Sequence, residues 1–149
     1  MADSVCGTGP EHLLGPALAD ALKAADPRAR IFAVSSKDRA AVLLGGRKAD
    51  LALWFDRSSG EFTTSSCYRR PAWLESFNAG LKKSGLIPVL GGRVPKGIVA
   101  SPATDEATDR LVAELIARER IGRGPGTDLL LISYSGTDFV GHRHGLDAL

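Results

Sequence analysis

Residues 31–56, IFAVSSKDRAAVLLGGRKADLALWFD, form the stretch that decides the fold. The segment opens with a short apolar run at residues 31–35, which predicts a buried strand. A helical stretch follows, and Gly45 and Gly46 are suited to end it. Residues 50–56 alternate two sets of apolar side chains, as a second strand does. A strand, a helix and a strand in this order predict an α/β domain.

An amphipathic helix is predicted before this segment, over residues 11–25. Leu14, Leu18 and Leu22 recur every four residues and would form one apolar stripe. The helix should end at Asp26, because the residue before a proline is disfavoured in the helical region.

The elements predicted after residue 56 continue the same alternation. A near-continuous apolar run at residues 128–134 is typical of a central strand that is covered on both faces. The other predictions are a hairpin strand at 62–66, a helix at 71–83, a Gly- and Pro-rich loop at 86–99, and a helix at 104–120. The order predicts a sheet with helices on both faces.

Length and composition limit what the chain can be. The 149 residues suit one domain, and 44% hydrophobic with 24% charged residues indicates a folded one. A net charge of +2 is too small to indicate a nucleic-acid or membrane partner. Two cysteines, Cys6 and Cys67, are too few for a disulfide framework and match no metal motif. The N-terminal residues show no signal-peptide pattern.

Two segments lie where α/β proteins place their sites, beyond the carboxyl ends of strands. The first contains Lys37 and Arg39, in the first turn of the helix that follows Ser35. A helix N-terminus carries about half a positive charge, so two cations there oppose its field. They would be favourable if an anion bound to them and to free backbone N–H groups. The alternative is a solvated helix start in which Asp38 offsets its neighbours.

The second segment follows Ser135 and contains Asp138 and His142. An i, i+4 spacing places both side chains on one face of a helical turn, where they could bind Zn²⁺. The alternative is that Asp138 caps a helix and His142 is an ordinary surface residue. His144 is expected to be exposed and incidental, and His12 to be structural.

Taken in order, these segments resemble a known family. They are similar to the bacterial alkaline phosphatases of the type I phosphodiesterase/nucleotide pyrophosphatase-like group, which are zinc enzymes of the alkaline phosphatase superfamily. The similarity runs from about Pro10 to Gly145. The motifs that carry it lie at residues 34–43, 45–46, 49–56, 60–66, 71–73, 77–78, 128–130, 132–135 and 137–142.

The resemblance implies hydrolysis of phosphate esters at two zinc ions through a phosphothreonine. Asp138 and His142 match two ligands of one zinc, and Lys37 and Arg39 match a pair that contacts the phosphoryl oxygens. That pair favours monoesters over diesters, because the terminal group of a monoester carries more charge. The implied partners are small-molecule phosphate esters, and relatives are typically periplasmic or secreted.

The resemblance also implies that residues 1–149 are the central part of an alkaline-phosphatase-like α/β/α sandwich, truncated at both ends. The nucleophilic Thr would lie upstream, and the other zinc-ligand segment downstream. No Thr of this chain matches the nucleophile, and Arg47 stands where relatives have His. The chain alone is therefore expected to be inactive. Two alternatives remain, a non-catalytic remnant that binds phosphate weakly and a phosphodiesterase or nucleotide pyrophosphatase of the same superfamily.

Overall fold

Strands and helices alternate along most of the chain. The computed structural model describes residues 6–90 and 93–145. No helix in this described part is long and apolar enough to cross a membrane. Single turns of 3₁₀ helix occur at Pro10–His12 and Ile98–Ala100. The regular elements are α1 (Leu18–Ala25), β1 (Arg30–Ser35), α2 (Asp38–Gly45), β2 (Leu51–Asp56), β3 (Glu61–Thr63), α3 (Leu74–Ser84), α4 (Pro102–Glu119), β4 (Asp128–Ser133) and α5 (Gly136–His144).

The four strands form one mixed sheet in the order β3-β2-β1-β4. Strand β1 is parallel to β2 and to β4, whereas β3 is antiparallel to β2. In the register, Ser35 lies opposite Trp54 on one side and Ser133 on the other. The carboxyl ends of the three parallel strands therefore meet at one edge of the sheet.

Both faces of the sheet are covered by helices, as the sequence predicts. Alternate residues of β1 and β2 point to opposite faces, so each strand contributes to two apolar clusters. One cluster joins the sheet to α3 and α4, and its largest fully buried side chains include Phe32, Leu53, Leu74, Leu111 and Leu115. The other face packs against α1 and α2 through Ala19, Ile31, Ala33, Ala41, Val42 and Trp54.

The predicted helix over residues 11–25 is wrong in its first half. Pro10–His12 form a 3₁₀ turn, and α1 begins only at Leu18. Pro16 disfavours helical geometry at Gly15, and glycine itself is a poor helix former. As a result Leu14 is fully exposed and Leu18 is 72% exposed, so the predicted leucine stripe does not form. Only Leu22 packs against the core.

Strand β4 is not the central strand that its apolar run predicts. It pairs with β1 alone among the described strands and lies at the edge of the sheet, with all six residues half-buried. Its side chains do reach both apolar layers, Leu130 and Ile132 on one face and Leu129 and Leu131 on the other. The apolar run thus indicates two covered faces correctly. It carries no information about which strands pair on each side.

The outer edge of the short strand β3 is closed by an asparagine side chain. Asn78 of α3 accepts a hydrogen bond from the Phe62 amide (2.9 Å) and donates one to the Phe62 carbonyl (2.8 Å). The buried amide thus takes the place of a neighbouring strand, which a bare sheet edge would otherwise attract. This pair of bonds also fixes α3 against the sheet.

The turn between α2 and β2 holds the N-terminal segment. Gly46 ends α2 with a φ of 64°, and a Cβ at this position would lie 2.5 Å from the carboxylate of Asp20. The side chain of Arg47 donates a hydrogen bond to the carbonyl of Leu13. A disulfide between Cys6 and Cys67 anchors the same segment. The sequence reasoning did not foresee this bond, because spacing alone does not show that two cysteines meet in space.

An ion pair between Arg30 and Asp128 joins the first residues of β1 and β4. The guanidinium donates two hydrogen bonds to the carboxylate, at 2.7 and 2.6 Å, and a third to the Glu119 carbonyl at 2.8 Å. The Gly122 amide also donates to Asp128, whose side chain is only 3% exposed. The hydrogen bonds from Arg30 hold the pKa of Asp128 below its ordinary value, because they favour the charged carboxylate.

Replacing this carboxylate should destabilise the chain. Asp128→Asn keeps the shape but removes the charge, and we expect the free energy of unfolding at pH 7 to fall by about 1–3 kcal/mol. The pKa of Asp128 is lower in the folded chain than in the unfolded one, so its contribution is complete above the unfolded value. It begins to fall below about pH 4 and is lost as the pH falls through the lower folded value, so the two proteins should converge only below that folded value.

Urea denaturation at pH 7 and at acidic pH measures both effects. Glu106→Gln is the matched control, because Glu106 forms an exposed i, i+4 pair with Arg110. Loss of this ion pair should lower the free energy of unfolding by less than about 0.5 kcal/mol. Equal effects of the two substitutions would contradict the role assigned to Asp128.

Candidate functional site

The two segments selected from the sequence lie side by side at the carboxyl edge of the sheet. One follows β1 and the other follows β4, and these strands are neighbours. The ammonium group of Lys37 forms an ion pair with Oδ2 of Asp138, 101 residues away in the chain. Parallel pairing of β1 with β4 brings these two side chains together.

The start of α2 differs slightly from the prediction. Ser35 ends β1, and its buried hydroxyl accepts a hydrogen bond from the Lys37 amide at 3.0 Å. Lys37 is extended at the N-cap position, so the helix begins at Asp38. The amide of Arg39 is bonded to the carboxylate of Asp38 at 2.7 Å. Two of the amides that the sequence predicts to face an anion therefore already have acceptors, which leaves the side chains of Lys37 and Arg39 as the cationic groups of this segment.

A cavity of about 370 Å³ lies at the carboxyl ends of β1 and β2. Lys37 is largely buried in this region, with a side chain 12% exposed, whereas Arg39 is exposed. Ser36 is 1% exposed, and among the described residues its hydroxyl has no hydrogen-bond partner. A buried hydroxyl without a partner is costly, which indicates that a ligand or water completes it. The cavity is lined by Ser36, Lys37, Asp38, Arg39, Trp54, Phe55, Asp56 and Arg57.

Arg57 is a further cation of this cavity, and it was not among the site residues predicted from the sequence. It follows directly after β2, so the strand-end rule applies to it as well as to Lys37. The ring of Phe139 lies near both cations, 4.3 Å from the Lys37 ammonium and 4.7 Å from the Arg57 guanidinium. Cation–π contacts of this kind orient the cation against the ring face.

Asp56 also lines the cavity, but its oxygens are engaged by the loop after β2. Ser58 and Ser59 each donate to them through a backbone amide and a hydroxyl, at 2.7–3.2 Å. Burial alone would raise the pKa of Asp56, and the hydrogen bonds from Ser58 and Ser59 outweigh it, so the pKa lies below its ordinary value. The carboxylate is therefore charged and held in place.

Helix α5 presents Asp138 and His142 on one face, as the i, i+4 spacing predicts. Nε2 of His142 lies 3.5 Å from Oδ1 of Asp138, and the two side chains are 81% and 49% exposed. The hydrogen bond from Lys37 holds the pKa of Asp138 below its ordinary value, and the charges of His142 and Arg39 act in the same direction. Lys37, Arg39 and His142 are therefore all close enough to Asp138 to act on its carboxylate.

The Asp138–His142 pair fits half of a zinc site. In a tetrahedral zinc site, ligand atoms lie about 3.3 Å apart, close to the observed 3.5 Å. A catalytic zinc has about three protein ligands, and no third Asp, Glu, His or Cys joins this pair among the described residues. Cys6, Glu11 and Cys67 form another cluster, but its two sulfur atoms are joined in the disulfide.

Other residues considered from the sequence lie outside the cavity. No threonine lines it within the described chain. His144 is exposed on α5, and His12 is exposed in the first 3₁₀ turn. Trp54 and Phe55 are exceptions, because both line the cavity although they are buried in the core.

Fold and motifs together define the class, and the chain is related to the alkaline phosphatase superfamily. It is 30% identical to alkaline phosphatase PhoK of a Sphingomonas species over 93% of its length, and 27% identical to alkaline phosphatase PhoV of Synechococcus elongatus over 94%. No protein-family model matches it.

The same class appears among solved structures. The crystal structure of alkaline phosphatase PafA superposes on 94% of the chain with a TM-score of 0.79 and 24% identity. A quadruple mutant of PafA superposes with a TM-score of 0.80. These structures confirm the partial α/β fold. The chain spans about a third of the length of the relatives it matches, 30% of PhoK, 33% of PhoV and 35% of the PafA structure.

The two serines at the end of β1 should respond differently to alanine. Ser36→Ala removes a buried hydroxyl without a partner, so we expect the free energy of unfolding to stay equal or to rise by up to about 1 kcal/mol. Ser35→Ala removes the acceptor of the Lys37 amide, so it should lower the free energy of unfolding by about 0.5–1.5 kcal/mol. Thermal and urea denaturation in phosphate-free buffer compare the two variants. Equal destabilisation would show that the Ser36 hydroxyl has a stabilising partner.

Proposed function

We propose that the chain supplies the phosphate-contact residues and a partial zinc site of a phosphate monoester hydrolase of the alkaline phosphatase type. The contact between Lys37 and Asp138 carries the proposal, since it joins the two motifs at one cavity. The similarity to the alkaline phosphatases PhoV and PhoK supports the reaction class.

Lys37 and Arg39 would bind the oxygens of the phosphoryl group. The guanidinium of Arg39 can donate two parallel hydrogen bonds, while Lys37 acts as a point charge. Ser36 would donate its free hydroxyl to the same group, which would satisfy a buried polar atom. A diester offers less negative charge to two such cations, so this arrangement favours monoesters.

Asp138 would serve both the metal and the lysine. Its Oδ2 pairs with Lys37, while its Oδ1 faces Nε2 of His142. The carboxylate can therefore hold Lys37 at the cavity while Oδ1 and the imidazole are offered to one zinc ion. When bound, zinc would supply Lewis-acid stabilisation of negative charge on the phosphate oxygens.

We assign the nucleophile of the reaction to a residue outside this chain. By resemblance it is a threonine, and none lines the cavity among the described residues. We propose that the chain corresponds to the central part of a larger domain and does not hydrolyse esters alone. The disulfide between Cys6 and Cys67 supports an oxidising compartment, as export of the relatives implies.

A non-catalytic phosphate-binding protein is the second candidate. The two-ligand metal site favours it, because such a site is incomplete for catalysis. Both candidates predict phosphate binding, and they differ in whether a longer form of the protein turns over esters. Steady-state hydrolysis of p-nitrophenyl phosphate by that longer form, lost in Lys37→Ala with zinc content unchanged, would exclude the second candidate.

The metal ligands can be tested with two histidines of the same helix. His142→Ala should weaken Zn²⁺ binding by more than about tenfold, because it removes one of two protein ligands. His144→Ala is the matched control, since its position lies away from the Asp138 face of α5. Isothermal titration of the 149-residue chain with Zn²⁺ measures both. Equal affinities for the two variants would contradict the assignment of His142.

The phosphate contacts can be tested on the same chain. Lys37→Ala and Arg39→Ala should each weaken the binding of inorganic phosphate by about tenfold or more, as expected for hydrogen bonds between charged groups. Arg110→Ala on α4 is the control and should bind as the unsubstituted chain does. Titration calorimetry at fixed ionic strength gives the affinities. Hydrolysis of p-nitrophenyl phosphate by the purified chain with Zn²⁺ would contradict an external nucleophile.

A further inference from the structure

Arg57 is a cation at the cavity that the proposed reaction does not use. It stands at the carboxyl end of β2, whereas Lys37 and Arg39 follow β1. Adjacent strands lie about 4.8 Å apart, so side chains from the two strand ends can reach neighbouring groups of one ligand. Arg57 therefore approaches the cavity from a different strand end than Lys37 and Arg39, the pair assigned to the phosphoryl group.

Arg57 has no ion-pair or hydrogen-bond partner among the residues that the structure describes. The two carboxylates that line the cavity are engaged elsewhere. Asp56 accepts hydrogen bonds from Ser58 and Ser59, and Asp38 accepts one from the Arg39 amide. Neither carboxylate lies within ion-pair distance of Arg57. Its charge is thus not neutralised by a neighbouring side chain.

The ring of Phe139 keeps this guanidinium near the site. The Arg57 Cζ atom lies 4.7 Å from the ring centroid, and the Lys37 ammonium lies 4.3 Å from the same centroid. A cation over a ring face leaves its N–H groups available at the edge of the guanidinium plane. Phe139 therefore links the position of Arg57 to that of Lys37 without occupying its donors.

The cavity is large enough for more than a single phosphoryl group. Its volume of about 370 Å³ lies within the range of small-molecule sites, roughly 300–1,000 Å³. In the proposed function Lys37 and Arg39 bind one phosphoryl group, and Lys37 is also paired with Asp138. The third cation at the end of β2 then remains for a second anion of the same ligand.

We propose that Arg57 is a specificity-determining residue that binds a second phosphoryl group of the substrate, next to the group held by Lys37 and Arg39. This inference rests on the proposed function. It assigns the site to phosphate compounds in which a second phosphoryl group lies close to the first, such as phosphoanhydrides and closely spaced bisphosphates.

Binding of two simple probes tests the proposal on the full 149-residue chain. Pyrophosphate carries the second phosphoryl group, and methyl phosphate carries a small neutral group in its place. The ratio of their affinities, measured by titration calorimetry at constant ionic strength, isolates the contribution of the second group. We expect Arg57→Ala to lower the preference for pyrophosphate by about tenfold or more, and Arg57→Lys to retain part of it.

Two further variants separate this proposal from the proposed function. Lys37→Ala should weaken both probes together, and Arg110→Ala should change neither the affinities nor their ratio. An unchanged ratio in Arg57→Ala would overturn the role of Arg57, even if Lys37→Ala confirms phosphate binding. No measurable binding of pyrophosphate by the unsubstituted chain would overturn it as well. Conversely, loss of the preference in Arg57→Ala with unaltered binding in Lys37→Ala would count against the proposed function alone.

Unfolding curves establish that each variant is folded. Because Arg57 is exposed, we expect both of its variants to fold.

Discussion

Strand β1 pairs in parallel with β2 on one side and with β4 on the other. Parallel strands end at the same edge of a sheet, so residues that follow Ser35, Asp56 and Ser133 meet there although they are far apart in the chain. The Arg30–Asp128 ion pair secures the opposite end of β1 and β4, which keeps the register from slipping. The contact between Lys37 and Asp138 depends on that register, because a shift of one residue would reverse the faces of the side chains.

Charge is distributed unevenly at this edge. Lys37, Arg39 and Arg57 stand at or near the cavity, while the carboxylates of Asp38 and Asp56 accept hydrogen bonds from their own neighbours. Asp138 is the exception, since it pairs with Lys37 and also faces His142. One carboxylate thus connects the cationic cavity to the face of α5 that carries His142. The buried hydroxyl of Ser36 adds a polar atom that the protein itself leaves without a partner.

The partial match to the alkaline phosphatases agrees with the contacts of Asp138 and His142. The chain matches about a third of PhoK, PhoV and PafA, and among its described residues Asp138 and His142 have no third ligand. Strand β4 similarly shows an apolar sequence suited to a covered strand while lying at the edge of the described sheet.

The amino-acid sequence by itself determined most of the local elements, the superfamily and the residues that we propose for the site. Apolar runs identified β1, β2 and β4, the glycines after α2 marked its end, and ordered motifs pointed to the superfamily and to Lys37, Arg39, Asp138 and His142. These features depend on neighbours along the chain or on motif order, so they are visible without a structure. The early part of the predicted first helix failed because the Gly15–Pro16 step outweighed the leucine periodicity.

Only the tertiary structure decided which side chains meet. Arg57 joins the cavity because β1 and β2 end at the same edge of the sheet, and within the described residues the Ser36 hydroxyl finds no partner. Tertiary packing also brings Cys6 to Cys67 and places β4 at the edge of the described sheet. Such properties depend on distances between residues that are remote in sequence, and spacing along the chain does not contain them.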